Sequence, residues 1–119
     1  MKEQLISFET AKLAKEKGFN EGCLYDYNNS SDLRKNVHSL FYNDSLDFYI
    51  APTQSLLQKW LREVHNIDVE ASLVYRLNTR EYLIRLYKNN TKIILSTFYY
   101  YKTYEEALEE GLYQALLLI

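Results

Sequence analysis

Thr91-Lys-Ile-Ile-Leu-Ser-Thr-Phe-Tyr-Tyr-Tyr-Lys-Thr-Tyr-Glu-Glu-Ala-Leu-Glu-Glu-Gly-Leu-Tyr-Gln-Ala-Leu-Leu-Leu-Ile119 decides the fold, because a β-branched and aromatic strand runs in it straight into a helix. Thr103 stands at the helix N-cap with Glu106 three residues on, the spacing at which hydroxyl and carboxylate each cap the other's backbone amide. Tyr104, Ala107, Leu108, Gly111, Leu112, Ala115, Leu116 and Ile119 recur at i, i+3, i+4 and i+7 and so share one stripe. Glu105, Glu109, Glu110 and Gln114 take the wetted side. Gly111 lies inside the apolar stripe, where it costs roughly 1 kcal/mol of helix propensity relative to Ala; the reason expected for it is a close approach to a sheet.

The preceding residues supply that sheet. Val69, Ala71, Leu73, Tyr75 and Leu77 alternate with Glu70, Ser72, Arg76 and Asn78, the period of a half-buried strand. Asn78-Thr-Arg-Glu81 is read as a turn, Tyr82–Lys88 as the returning strand, Asn89-Asn90 as a two-residue hairpin turn, and Ile93–Tyr101 as a third strand. Ahead of them Ala51-Pro52-Thr53 opens a helix, with Pro52 in the first turn. Leu56, Leu57, Trp60, Leu61 and Val64 form its apolar face, and Gln58, Lys59, Arg62 and Glu63 turn to water.

The expected architecture is therefore α+β, a two-layer sandwich. A three-stranded antiparallel meander carries two helices on one face in the order α-β-β-β-α, after a short N-terminal helix and an irregular segment. The opposite sheet face would show Val74, Arg76, Leu83, Arg85 and Tyr87, too apolar a set to be purely solvated.

A chain of 119 residues is expected to form a single domain, residues 1–50 preceding the 51–119 core. The N-terminal helix is placed from Phe8 to Lys17, capped by Ser7, with Gly18 as left-handed terminator and Phe19 folding back on Leu13 or Ala14. Its apolar set, Leu5, Phe8, Ala11 and Ala14, is thin, so it is expected at the periphery. Residues 20–50 are rich in Asn, Ser, Asp and Tyr. Cys23–Tyr27 and Ser39–Tyr42 are read as arms of an irregular hairpin, Asn28–Asp32 as the most turn-like point, and Leu46–Ile50 as extended.

The net charge is −2, with Lys and Arg outnumbering Asp and Glu eight to four over residues 51–102, and the last helix purely acidic. That is too weak a basic surplus for a dedicated nucleic-acid binder. No apolar run approaches a membrane span, and the N-terminus lacks a signal-peptide core, so a cytoplasmic protein without membrane partners is expected. Cys23 is the only cysteine, which rules out an internal disulfide, and with two distant histidines no zinc ligand set can be written. Glycines at 18, 22 and 111 alone exclude a phosphate-cradling Gly-rich loop. No cofactor or metal is expected, and no catalytic residue is assigned.

Helix, three strands and helix resemble the double-stranded-RNA-binding domain in topology over the last seventy residues or so. That family grips phosphates with a lysine-rich cluster at the start of its last helix; this chain has Glu105, Glu106, Glu109 and Glu110 there. The family's histidine-bearing turn is also replaced, by Asn78-Thr-Arg-Glu81. In wording, Glu9–Phe19, Ala51–His65 and Thr103–Leu112 look like a set of small uncharacterised proteins of gut Bacteroidales and their phages and prophages. This likeness covers most of the chain; it implies an accessory role on a mobile element and carries over no functional residue.

Three functional readings follow. The leading one is a non-enzymatic interaction protein with a protein partner or self-association as a homodimer. Its twelve tyrosines supply rigid amphipathic contact area, and Arg76, Arg85, Tyr87 and Tyr99 are the candidate binding residues. The second is a nucleic-acid-binding or regulatory module using Arg76, Arg85, Lys88, Lys92 and neighbouring tyrosines. The third is an enzyme with Cys23 as thiol and His38 as base, for which no signature surrounds either residue.

Overall fold

The computed structural model of the chain describes residues 3–93 and 99–119. Their order is α1 (Phe8–Glu16), β1 (Tyr25–Asn28), β2 (Leu33–Lys35), β3 (Phe48–Ile50), α2 (Gln54–His65), β4 (Ile67–Arg76), β5 (Thr79–Lys88), β6 (Thr91–Ile93) and α3 (Tyr104–Leu117). The fold is α+β, with two antiparallel sheets of order β2-β1-β3 and β4-β5-β6 among the described residues. The chain divides into two compact units, Met1–Leu57 and Gln58–Ile119.

In the C-terminal unit two turns dictate the sheet. Leu77 and Asn78 have φ of 49° and 66°, and Asn89 and Asn90 have 51° and 67°. Paired positive φ values mark the two-residue turn whose twist matches that of antiparallel strands. Asn89-Asn90 is the turn the sequence indicates. The first turn is one residue earlier and tighter than expected: it is Leu77-Asn78, and Thr79, Arg80 and Glu81 already belong to β5. β4 and β5 pair without interruption from Ile67↔Lys88 to Arg76↔Thr79. β6 continues the meander through Leu86↔Ile93. Of the expected strand Ile93–Tyr101, residues 94–98 lie outside the described residues, and pairing is seen again where Tyr101 and Tyr82 exchange backbone hydrogen bonds of 2.7 and 2.8 Å.

α3 packs on β4 and β5. Thr103 Oγ1 accepts the Glu106 amide at 3.1 Å, as the cap spacing requires. Ala107, Leu108, Gly111, Leu112, Ala115 and Leu116 are buried, so the helical stripe is the core face. A β-carbon on Gly111 would stand 2.8 Å from Val69 Cγ1 and 3.0 Å from Ile84 Cγ2. The glycine therefore sits where helix and sheet are in close contact.

α2 starts at Gln54 rather than at Pro52, and Thr53 Oγ1 accepts the Leu56 amide at 3.2 Å. Leu57, Trp60 and Leu61 are buried as expected, but Val64 is exposed and Gln58 does not simply face water. Its carboxamide donates to Val69 O at 2.6 Å and so satisfies a carbonyl of the edge strand β4. His65 packs edge-on against Trp60 at 4.7 Å between ring centroids.

The N-terminal unit is better built than its sequence suggests. Ser7 Oγ caps α1 at the Thr10 amide, and the helix ends in a complete Schellman arrangement: Phe19 N donates to Ala14 O at 2.9 Å and Gly18 N to Lys15 O at 3.1 Å, with Gly18 at φ 95°. Ala11, Ala14, Ile6 and Phe19 are fully buried, so α1 belongs to the core of its unit and not to a periphery. Two alanines make a thin stripe in composition, yet they let the helix come close to its neighbours.

Residues 20–50 form a sheet and not a two-armed hairpin. β1 pairs with β2 across the Asn28–Asp32 turn and with β3 on its other side. The expected arm Ser39–Tyr42 contributes a single bridge, Cys23↔Phe41. Asp26, fully buried at the centre, receives two bonds from its cross-strand neighbour Arg34, at 2.7 Å from Nε and 3.0 Å from Nη2. The guanidinium lies over the rings of Phe48 and Phe41, at 3.8 and 4.5 Å to their centroids. This is the paired, hydrogen-bonded state a buried carboxylate requires.

Gly111→Ala should lower stability by about 1–2 kcal/mol, a melting drop of several degrees, because overpacking against Val69 and Ile84 outweighs the roughly 1 kcal/mol gain in helix propensity. Thermal unfolding followed by circular dichroism checks this; an unchanged or raised midpoint would show that the contact is loose.

Candidate functional site

The β4–β5 ribbon is longer than the helix that covers it. A ten-residue strand spans about 33 Å. A fourteen-residue helix spans about 21 Å. The lower end of α3 is fixed where Lys88 Nζ donates to Leu118 O at 3.3 Å. Its upper end stops where Tyr104 meets Tyr82 edge-on at 6.1 Å. Beyond Tyr82 the hairpin continues for three more pairs and a turn, with no α3 beneath it.

Burial along the inner face follows from this mismatch. Ile67, Val69, Ile84 and Leu86 are buried, whereas exposure climbs to 43% at Leu73, 70% at Tyr75 and 96% at Leu77. Tyr104 is also exposed at the mouth of this step. Leu77 combines two unfavourable properties: a leucine in the left-handed region costs about 1–2 kcal/mol, and its side chain gains nothing back from burial.

The opposite sheet face carries the residues expected there, set by register as facing pairs: Asp68↔Tyr87, Glu70↔Arg85, Ser72↔Leu83, Val74↔Glu81 and Arg76↔Thr79. Tyr87 and Arg85 occupy neighbouring rows. Arg76 lies six residues along β4 from the partner of Arg85, about 20 Å away. Arg85 stands opposite Glu70. Arg76 bonds Glu81 at 3.1 Å and its guanidinium stacks 3.9 Å from the Tyr100 ring centroid. Tyr99 is exposed, in the segment leading to the Tyr101 bridge. Of the four candidate binding residues the register thus brings only Arg85 and Tyr87 together, and both arginines of the set face a carboxylate.

The alternation places Leu73 and Tyr75 on the face of Val69, as the register has them, whereas Leu77, expected to continue that face, stands in the turn.

In the N-terminal unit Cys23 is buried, and its thiol donates to Glu21 O at 3.2 Å. Burial, assisted by the Glu21 charge, pushes the thiol from its ordinary 9.0 up to about 12. His38 is exposed in a bend where its amide donates to Asn36 Oδ1 at 2.9 Å. A thiol held protonated is a poor nucleophile, and the bonds of the two residues run to Glu21 and Asn36 respectively. Among the described residues no group of three His, Cys, Asp or Glu side chains could hold a metal ion, and no helix is long and apolar enough to cross a membrane. No protein-family profile, curated protein or solved structure matches the chain.

Cys23 gives two measurable consequences. At pH 8 its alkylation by iodoacetamide should be about a thousand-fold slower than that of the unfolded chain, in proportion to the thiolate lost. Because the folded state keeps a proton that the unfolded thiol releases above pH 9, rising pH favours unfolding. Stability should fall by up to about 1.4 kcal/mol per pH unit between pH 9 and 12, an increment that Cys23→Ala removes. Denaturant melts of both chains across that window read the difference.

Proposed function

We propose that the chain is a small non-enzymatic interaction protein that docks through the uncovered end of its β4–β5 ribbon, and that the occupant of that surface is a second copy of the chain. The observation that carries the reading is Leu77. A glycine or asparagine would relieve the turn, yet the position holds a leucine that is 96% exposed, following the exposed Leu73 and Tyr75 of β4. Apolar and aromatic side chains of this kind, ringed by charge, are what interfaces bury at their centre.

Charge supports self-association. Arg80 lies at the ribbon end beside the Arg76–Glu81 ion pair, whereas Glu105, Glu106, Glu109 and Glu110 run along α3. A twofold arrangement, in which each ribbon end lies along the partner's α3, sets the basic element of one copy against the acidic element of the other. An isologous contact of this kind closes on itself. The likeness to proteins of gut Bacteroidales phages and prophages makes an accessory role on a mobile element the setting we propose.

Leu77→Gly separates recognition from folding. It should raise the melting temperature, through relief of the turn, and weaken dimerisation by tenfold or more; Tyr75→Ser should weaken dimerisation with little change in melting. Light scattering across a hundred-fold concentration range measures both. A wild type that stays monomeric throughout would overturn self-association, and a Leu77→Gly chain that dimerises as well as wild type would move the interface elsewhere.

A further inference from the structure

The N-terminal unit holds a cleft of about 190 Å³ that none of the preceding assignments uses. Two isolated bridges, Leu5↔Thr53 and Cys23↔Phe41, run beside it. Each is tied by backbone hydrogen bonds: Ile6 N to Pro52 O at 3.0 Å and Gln54 N to Gln4 O at 2.8 Å on one side, Cys23 N to Phe41 O at 3.0 Å and Phe41 N to Cys23 O at 2.7 Å on the other. The walls are therefore preformed by main chain rather than by mobile side chains, the condition under which a pocket binds without an ordering penalty.

The lining is small and buried at the floor and large and exposed at the rim. Cys23, Ala51 and Pro52 are buried; Leu24 and Leu40 remain about half exposed. Leu40 leans over Gly22, and its Cδ1 lies 2.6 Å from where a β-carbon on that glycine would stand. The absence of that carbon lets the rim leucine reach the cleft. Among the described residues no charged side chain lines the space. Its polar atoms are largely spoken for, with Thr53 Oγ1 accepting the Leu56 amide and the Cys23 thiol donating to Glu21 O.

We infer that this cleft is a binding site for a small uncharged aromatic or aliphatic group. An apolar cavity of ~150 Å³ takes a benzene ring, so this volume admits a single or fused small ring but nothing of cofactor size. A charged group would lose its hydration with no partner among the described residues to replace it, and is disfavoured. This inference is independent of the ribbon surface and of self-association.

Titration of the isotope-labelled full chain with benzene, phenol and indole, followed by amide chemical shifts, tests it. Saturable shifts centred on residues 5, 22–25, 40, 51–53 and 56 are expected, with dissociation constants on the order of 0.1–1 mM. Benzoate and benzylamine should bind at least tenfold more weakly. Leu24→Ser and Leu40→Ser, both at the exposed rim, should weaken indole at least fivefold while leaving the melting temperature within a degree or two. As a second readout, saturating indole should slow Cys23 alkylation severalfold. Shifts that fail to saturate, equal binding of the charged analogues, or indifference to both rim variants would each overturn the assignment.

Discussion

Backbone pairing between Ile67–Arg76 and Thr79–Lys88 is the constraint on which the rest of the C-terminal unit depends. An unbroken antiparallel ladder fixes which side chains share a face, since a slip of one residue would exchange the two faces completely. With that register set, Ile67, Val69, Ile84 and Leu86 lie together under α3, and Gly111 allows the helix down onto Val69 and Ile84. The same register brings Leu73 to the helix end, opposite Tyr82, and carries Tyr75 past it toward the exposed turn at Leu77. Core and exposed surface are two ends of one pleated stripe, distinguished only by where the covering helix stops.

The parts of the fold legible in the sequence are those encoded locally. Thr103 with Glu106, Ser7 with Thr10, and Gly18 with Phe19 mark helix ends through contacts only a few residues apart. The alternation from Val69 onward gives β4 its two faces, and Asn89-Asn90 tolerates the positive φ its turn needs. Leu77-Asn78 escaped because leucine carries no turn signal; there the pairing of the flanking strands imposes the conformation against the residue's preference.

Residues 20–50 were hard to read for a different reason. Their strands are three or four residues long, too short to display a period, and side chains do much of the joining. Asn43 Oδ1 accepts the Ile50 amide at 3.0 Å while its Nδ2 donates to Phe19 O at 2.7 Å. Asn28 Oδ1 accepts the amides of Ser30 and Asp32. Lys15 Nζ donates to the carbonyls of Ser45 and Phe48 and lies 4.8 Å from the Tyr49 ring centroid. In composition such residues spell a loop; in place they substitute for a ladder. The Asp26–Arg34 pair was missed likewise, because no spacing rule links a buried carboxylate to a guanidinium across a turn.

The tight turns bounding β5 also bear on the order of assembly. Each closes a loop of two residues, so the meander can zip from either end on the microsecond scale of hairpin formation. Joining Leu5 to Thr53 instead requires about 48 residues of chain to be drawn together, with a correspondingly larger loss of chain entropy. During synthesis the N-terminal unit must therefore wait for Thr53 before it can close, while the ribbon that follows it needs only its own neighbours.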